Sequence, residues 1–538
     1  AQAFPRRLGP AGAPDPAPSR AGACLGACPM FEVVDSSVLA ALFAIALSAL
    51  VAARTVGWRG RQGRSAAAGA AGAAERDHVA YEDLVAPEVR GNHLAFNASL
   101  HKRFAGQRFV PVRGEERCFI AFTHATCKEV MNDHATFSSN PFPDDRLVAL
   151  NTMSKADHAR VLRYVHSFYV QGEVAKMEDR IRQVVELCTD DLESGQADAV
   201  VWAKRIHMAS TLARLGVPVL GGGEAGPGGC SWSRVDEVVA LNDAMVALVA
   251  PLGGVGRRYS ELPRGQWLHV LRGLVSSLPA TMRMTMRLGL RCTWEIVRPD
   301  VTVLFPPTRP RMGLWWHPEL LPRVPEYFLS LHDLLMNGSA DGPLAGIREG
   351  VAIGNLRLAE ALTLMVQLMV NMTSANALAN MVFRLGTEKA AAEAAFAEPD
   401  RLAPSFVQES LRLDAPLQRN PRRVARPLAG KWSGVPLREG DQVLLLLGAA
   451  NMDPAVFDAP ADFRMDREAA DKGTALSFGS GMHYCLGSNL VRSEMRVALD
   501  CLLSRYAAVE LRGEPQRLVD VDVGNWGFRR LGVRLIRR

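Results

Sequence analysis

The spacing of apolar residues changes along this chain, and each change marks an element. After Ser488, the residues Leu490, Val491, Met495, Ala498, Leu499 and Leu502 recur at the step of a helix, which predicts one from Ser488 to about Tyr506. Helical patterns of this kind dominate from Ala156 onward. Ahead of them, Arg108–Val112 and Cys118–Phe122 are short β-rich stretches and predict a small hairpin. Gly221–Gly223 and Gly226–Gly229 mark a long loop, and Asp300 to Trp316 is proline-rich and predicted to be irregular.

Two apolar runs raise the question of a membrane. Glu360 to Leu385 is one, but Thr363, Gln367 and Asn371 step by four along it and Thr373, Ser374, Asn376 and Asn380 follow. That polar load suits a buried central helix lining a cavity better than a span through lipid, and Gly386 is the expected stop. The other run, Ser36 to Ala53, carries no charge and is followed by Arg54, Arg59, Arg61 and Arg64. Its length is at the lower limit for a bilayer. Cations after the run disfavour a signal peptide and place the following chain on the cytoplasmic side. Residues 1–29 then read as a leader or disordered segment, 36–53 as a membrane anchor, 54–76 as an Arg-, Ala- and Gly-rich linker, and 77–538 as the catalytic body. A leader before an anchor leaves an organelle membrane open as the destination.

Composition narrows the class. The chain has 538 residues, 48% of them apolar, and a net charge of +6, so a large core is feasible. Basic residues are dispersed without interleaved aromatics, which gives nucleic-acid binding no support. Nine scattered cysteines do not suggest a disulfide framework, and Cys24 and Cys28 lack a second pair for zinc.

One of those cysteines stands in a distinctive setting. Phe478-Gly479-Ser480-Gly481-Met482-His483-Tyr484-Cys485-Leu486-Gly487 puts a single thiol at the end of a glycine-punctuated loop, just before the predicted helix. Glycines let backbone turn tightly and approach a flat macrocycle. Free N–H groups at the helix start favour a thiolate, and His483 can hydrogen-bond an acidic cofactor edge. Upstream, Glu409 and Arg412 lie at i, i+3 on one helix face, where they can pair.

Together these residues closely resemble the cytochrome P450 family of thiolate-haem monooxygenases, most like its bacterial-type members. The resemblance extends through Ala449–Pro454 and Phe463–Arg467 and covers roughly 77–538. It implies a mainly α fold with a small β region, in a single large triangular domain, and haem b (iron protoporphyrin IX) as cofactor. By resemblance, Cys485 is the iron ligand within a loop formed by Phe478, Gly479, Gly481, His483 and Gly487. His483 and Arg422 or Arg423 would bind propionates, with His158 on a helix above them. Glu409 and Arg412 would form a structural cluster with Arg467, or alternatively Arg464. Thr373 takes the place of the oxygen-handling threonine, and Asn371 or Ser374 would organise water beside it.

At that helix the chain departs from the family. Where the family has a small residue and an acid, this chain has Val370 and Met372, and a thioether relays no proton. The leading expectation is a monooxygenase that inserts one oxygen atom into a small apolar organic molecule. Its electrons would come from a separate ferredoxin or flavoprotein reductase, since no such module is visible. The alternatives are a peroxide-using or isomerase/dehydratase-type haem-thiolate enzyme, and a non-catalytic haem-binding homologue.

Overall fold

A computed structural model describes residues 78–538, apart from 114–116, 141–149, 151–152, 194–197, 218–231, 250–265, 297–319, 339–341, 370–371, 468–474 and 519–523. The expected leader, anchor and linker, the glycine-rich loop, the proline-rich segment, Val370 and Asn371 therefore lie outside the described residues.

The predicted hairpin forms. Strands β2 (Val110–Arg113) and β3 (Cys118–Ala121) pair antiparallel, Val110 opposite Ile120. Strand β1 (Val79–Ala80) joins β2 in parallel. On the other side β3 runs parallel to β6 (Gln442–Leu446), which pairs antiparallel with β5 (Arg419–Val424), and β5 with β4 (Phe137–Ser138). The sheet order is β1-β2-β3-β6-β5-β4. Val443 to Leu446 are all buried, as a central strand covered on both faces requires. Parallel pairing of β3 with β6 demands a crossover, and that crossover is most of the helical body.

The helices that position the site are α1 (His93–Arg103), α2 (His124–Asn132), α3 (Lys155–Leu162), α4 (Glu178–Glu193), α5 (Ala199–Arg214), α6 (Trp232–Val249), α7 (Gln266–Leu288), α8 (Arg323–Asn337), α9 (Pro343–Ala352), α10 (Leu358–Leu368), α11 (Met372–Thr387), α12 (Pro399–Leu413) and α13 (Ser488–Arg505). Every apolar residue used to predict α13 is buried, and α13 packs on α4, α11 and α12. Two smaller sheets close the carboxy-terminal region: β7 (Tyr506–Leu511) with β10 (Val533–Arg537), and β8 (Gln516–Arg517) with β9 (Phe528–Arg530).

The long apolar run is a core element. Among the described residues, the stretch that holds α10 and α11 is the one long and apolar enough to cross a membrane, yet 56% of its qualifying 18-residue window is buried inside the protein. Two of its polar groups are bonded within the fold: Thr363 Oγ1 donates to Ala359 O, and Gln367 Oε1 accepts from the backbone of Leu150. Helix α11 ends at Thr387, one residue past the expected stop at Gly386. The glycine also serves close packing, since a Cβ there would lie 2.7 Å from Leu511.

Candidate active site

The six described cysteines are free thiols, and among them Cys485 is exposed while the other five are buried. Its loop is held by backbone. The Cys485 N–H donates to Phe478 O at 3.0 Å, and the Ser488 N–H to Cys485 O at 3.3 Å. Gly479 and Gly481 take φ of +74° and +73°, the left-handed region where glycine carries no penalty. At Gly481 a Cβ would also meet Met131 O at 2.9 Å, so α2 and the loop can touch only through glycine.

Cys485 is exposed, while desolvation dominates the surroundings of its thiol. Burial raises its pKa, and the backbone N–H groups of Gly487 and Ser488, with Arg492, only partly offset this. The helix start acts on the sulfur as the sequence suggests, but it does not by itself make a thiolate. A bound cation would reverse that balance. Arg492 also stacks over the Phe478 ring at 4.3 Å.

Beside the loop the fold gathers basic side chains for which no carboxylate partner is seen among the described residues. His483 Nε2 bonds Ser139 Oγ at 3.0 Å, and its Nδ1 is buried without a partner. The ring of His158, from α3, meets it edge-on at 5.0 Å. Burial first, then His158, Arg422 and His134, push the His483 pKa down to about 3, so this histidine is held neutral. Arg422 is buried and donates to two neutral acceptors, Asn420 Oδ1 and Pro421 O. Burial pulls its pKa down to about 10. Arg423 is the next residue on β5, and strand alternation turns it to the opposite face; its Nε is buried without a partner. The charge of Arg422 acts on His483, and the buried, unpartnered Nε of Arg423 leaves that residue a candidate beside it. An orphaned ring nitrogen and a buried guanidinium with no carboxylate among its described partners fit an anionic cofactor edge. The thiol beside them suits a soft metal.

Behind the loop sits a dry ionic cluster. Arg412 grips Glu409 with two bonds, 2.8 and 2.6 Å, and Arg467 Nε adds a third at 2.9 Å. The remaining guanidinium donors reach carbonyls of Asn451, Pro460 and Asp462 from Arg412, and of Asp458, Ala459 and Asp462 from Arg467. Arg464 lends only its backbone N–H to Glu409, while its side chain turns outward to Asp458 and Asp466. Asn451, within the Ala449–Pro454 stretch, ties the parts together. It donates to Arg412 O and Ser477 Oγ and accepts from Leu476 N, so the ionic cluster and the thiol loop share one brace.

The residues that the resemblance assigns to the oxygen side lie at the end of α10 and the start of α11. Met369 ends α10, and its carbonyl accepts from Asn242 Nδ2 of α6 at 3.0 Å. Thr373 is half-buried in the first turn of α11. The sulfur of Met372 receives the Asn525 amide at 3.7 Å, so the residue in the acid's place contacts a second neutral group. Sequence reading also misses a buried polar group beneath α13: His207 Nδ1 bonds Glu494 Oε2 at 2.8 Å, with Arg214 over the Tyr169 ring at 4.2 Å. A buried glutamate on an amphipathic helix is its one sequence signal.

Residues 401–522 match the family model described as cytochrome P450. Cytochrome P450 144 of Mycobacterium tuberculosis is 34% identical over 202 residues, 37% of this chain. The match spans 43% of that relative's length. Among solved structures, CYP109E1 from Bacillus megaterium in complex with testosterone superposes with a TM-score of 0.61 at 19% identity, covering 83% of this chain and 99% of that one. The enzyme CxnD, for C–S bond formation in chuangxinmycin biosynthesis, gives a TM-score of 0.62 at 18% identity, covering 86% and 98%.

Proposed function

We propose, from the premise that this chain belongs to the cytochrome P450 family, that it is a haem-thiolate monooxygenase. It would insert one oxygen atom from dioxygen into a small apolar organic substrate, with electrons from a separate ferredoxin or flavoprotein reductase. The observation that carries this reading is Cys485, the exposed thiol among the described cysteines, opening beside the orphaned Nδ1 of His483 and the buried Arg422.

Haem b, when bound, supplies the iron chemistry of oxygen activation, and a thiolate ligand favours O–O cleavage. The residues around it have separable tasks. Cys485 provides the sulfur, and the Gly487 and Ser488 N–H groups temper its charge. His483 and one of Arg422 or Arg423 would hold the carboxylates of the cofactor edge, with His158 packed against His483. Glu409, Arg412 and Arg467 keep the loop rigid without touching substrate. Thr373 offers the hydroxyl that holds a proton on the opposite side. The apolar run at 36–53 would anchor the body to a membrane on its cytoplasmic side.

The deciding measurement is the spectrum of the reduced protein under carbon monoxide. The red-shifted Soret band of a thiolate-ligated haem is expected in the full chain and in Cys501→Ser, and is expected to vanish in Cys485→Ser. An intact band in Cys485→Ser sinks the ligand assignment.

A second reading rests on Met372. With a thioether where the family has an acid, an enzyme using peroxide, or rearranging an already oxygenated substrate, needs no full proton relay. Turnover under isotopically labelled dioxygen separates them: label in product supports the monooxygenase, and product without label supports the second reading. Haem binding with no product from any substrate indicates a non-catalytic homologue.

A further inference from the structure

Helix α7 carries an apolar stripe that the body of the protein leaves uncovered. Its inner face, with Ala280, Met284 and Leu288, is buried. On the outer face Val275, Leu278, Met282 and Met286 are exposed, between 46% and 70%. The same step continues past Gly289 into a helical stretch at 290–296, where Leu290 and Trp294 are also exposed. Exposed apolar residues scattered singly need no explanation, but a contiguous stripe does.

Charge says what could cover it. The sequence of α7 contains Arg272, Arg283 and Arg287 and no acidic residue; Arg287 is paired with Asp333 of α8, and the 290–296 stretch adds Arg291 paired with Glu295, so the net charge of the surface is positive. A second copy of the chain would set one arginine-bearing helix against another. An anionic lipid surface attracts these arginines and accepts the stripe, and a basic amphipathic helix with an apolar face and a tryptophan is the composition of an interfacial element.

We propose that α7 and the 290–296 stretch form a docking surface for an anionic bilayer, lying in its plane with Met282 and Met286 toward the acyl region. The proposal does not rest on the expected anchor at 36–53 or on the cofactor chemistry.

The test is peptide-resolved amide hydrogen exchange on the full chain, with and without vesicles. Vesicles of an equimolar phosphatidylcholine–phosphatidylglycerol mixture should slow exchange across 275–294 several-fold, and phosphatidylcholine alone should do so less. Raised salt should weaken the effect, because arginine–headgroup attraction is screened. The double variant M282D/M286D should lose the protection, while R272E/R283E should lose the preference for anionic lipid. All four side chains are exposed, and a matching thermal melt verifies the fold. Exchange at 275–294 that vesicles leave unchanged overturns the proposal, as does protection that survives M282D/M286D. Protection that grows with protein concentration without lipid overturns it in favour of a second copy. Tethering by 36–53 alone would hold the chain on vesicles but leave 275–294 unprotected.

Discussion

The thiol side of the proposed iron position and the side facing it are built by different means. On the thiol side, geometry is written in backbone and charge. Two glycines hold left-handed turns, Asn451 braces the loop against α12, and Glu409 takes three side-chain bonds from two arginines. On the opposite side, Met369 O leans on Asn242 of α6 and Met372 on Asn525. A ligand loop needs rigidity, which specific residues at fixed spacing supply. A cavity wall needs volume and a few polar atoms, which many sequences supply. That is why this chain keeps the family's pattern on one side and departs from it on the other.

The largest expected effect lies behind the thiol loop. Glu409→Ala leaves Arg412 and Arg467 buried without a counter-charge, and breaking such a cluster costs about 3–5 kcal/mol. Denaturant unfolding should show that loss together with failed haem uptake. A variant that melts normally and still loads haem would mean the cluster does not brace the loop.

On the opposite side, stability should barely change while chemistry does. Thr373→Val alters one half-buried hydroxyl; if it holds the proton for oxygen, product formed per electron should fall about tenfold or more. Product yield and peroxide release, measured together, decide this. Met372→Glu is the complementary change and should raise coupling if a missing acid limits turnover. Unchanged coupling in both variants would favour the peroxide or rearrangement reading.

A smaller effect is expected at Gly481. Alanine there must hold a φ of +73° with its Cβ 2.7 Å from Asn132 Oδ1 and 2.9 Å from Met131 O. Strain and overpacking of this kind cost about 1–3 kcal/mol. The same substitution at Gly487, whose φ is −79°, should cost less and so act as the control.

The same divide governs what is legible in the sequence. The hairpin, α13, the thiol loop and the Glu409–Arg412 pair can be read there because each depends on residue types at short, fixed spacing. The meeting of His158 with His483 cannot be read from spacing, since it depends on α3 folding back over the loop. The choice between Arg422 and Arg423 waits on strand register. The end of α10 at Leu368 leaves no trace in periodicity, because the apolar pattern runs straight through it and the capping amide comes from a distant helix. The stop at Gly386 is legible to within one residue, while the close approach of Leu511 to that glycine is not.

Acid provides the smallest and most local test. His93 is buried against the end of α12, its Nε2 3.0 Å from Leu413 O and its ring 3.8 Å from Trp526. Burial pushes its pKa down to about 4, against partial opposition from Asp414. An unfolded chain takes up that proton near pH 6.5 while the folded chain refuses it until about pH 4, so stability should fall as pH drops through that window. Asp414 follows at lower pH. Burial works to raise its pKa, but Arg384 beside it holds the carboxyl below its usual 3.8, so its contribution is present above that value and lost beneath it. His93→Gln should therefore flatten the stability curve between pH 6.5 and 4, by at most about 1.4 kcal/mol per pH unit. It should reduce the slope rather than abolish it, because burial lowers His158 and His483 as well. Because Leu413 closes the helix that carries Glu409 and Arg412, amide exchange in α12 should rise ahead of exchange in α10 as the protein is acidified. The reverse order would mean that the side held by packing is the stiffer of the two.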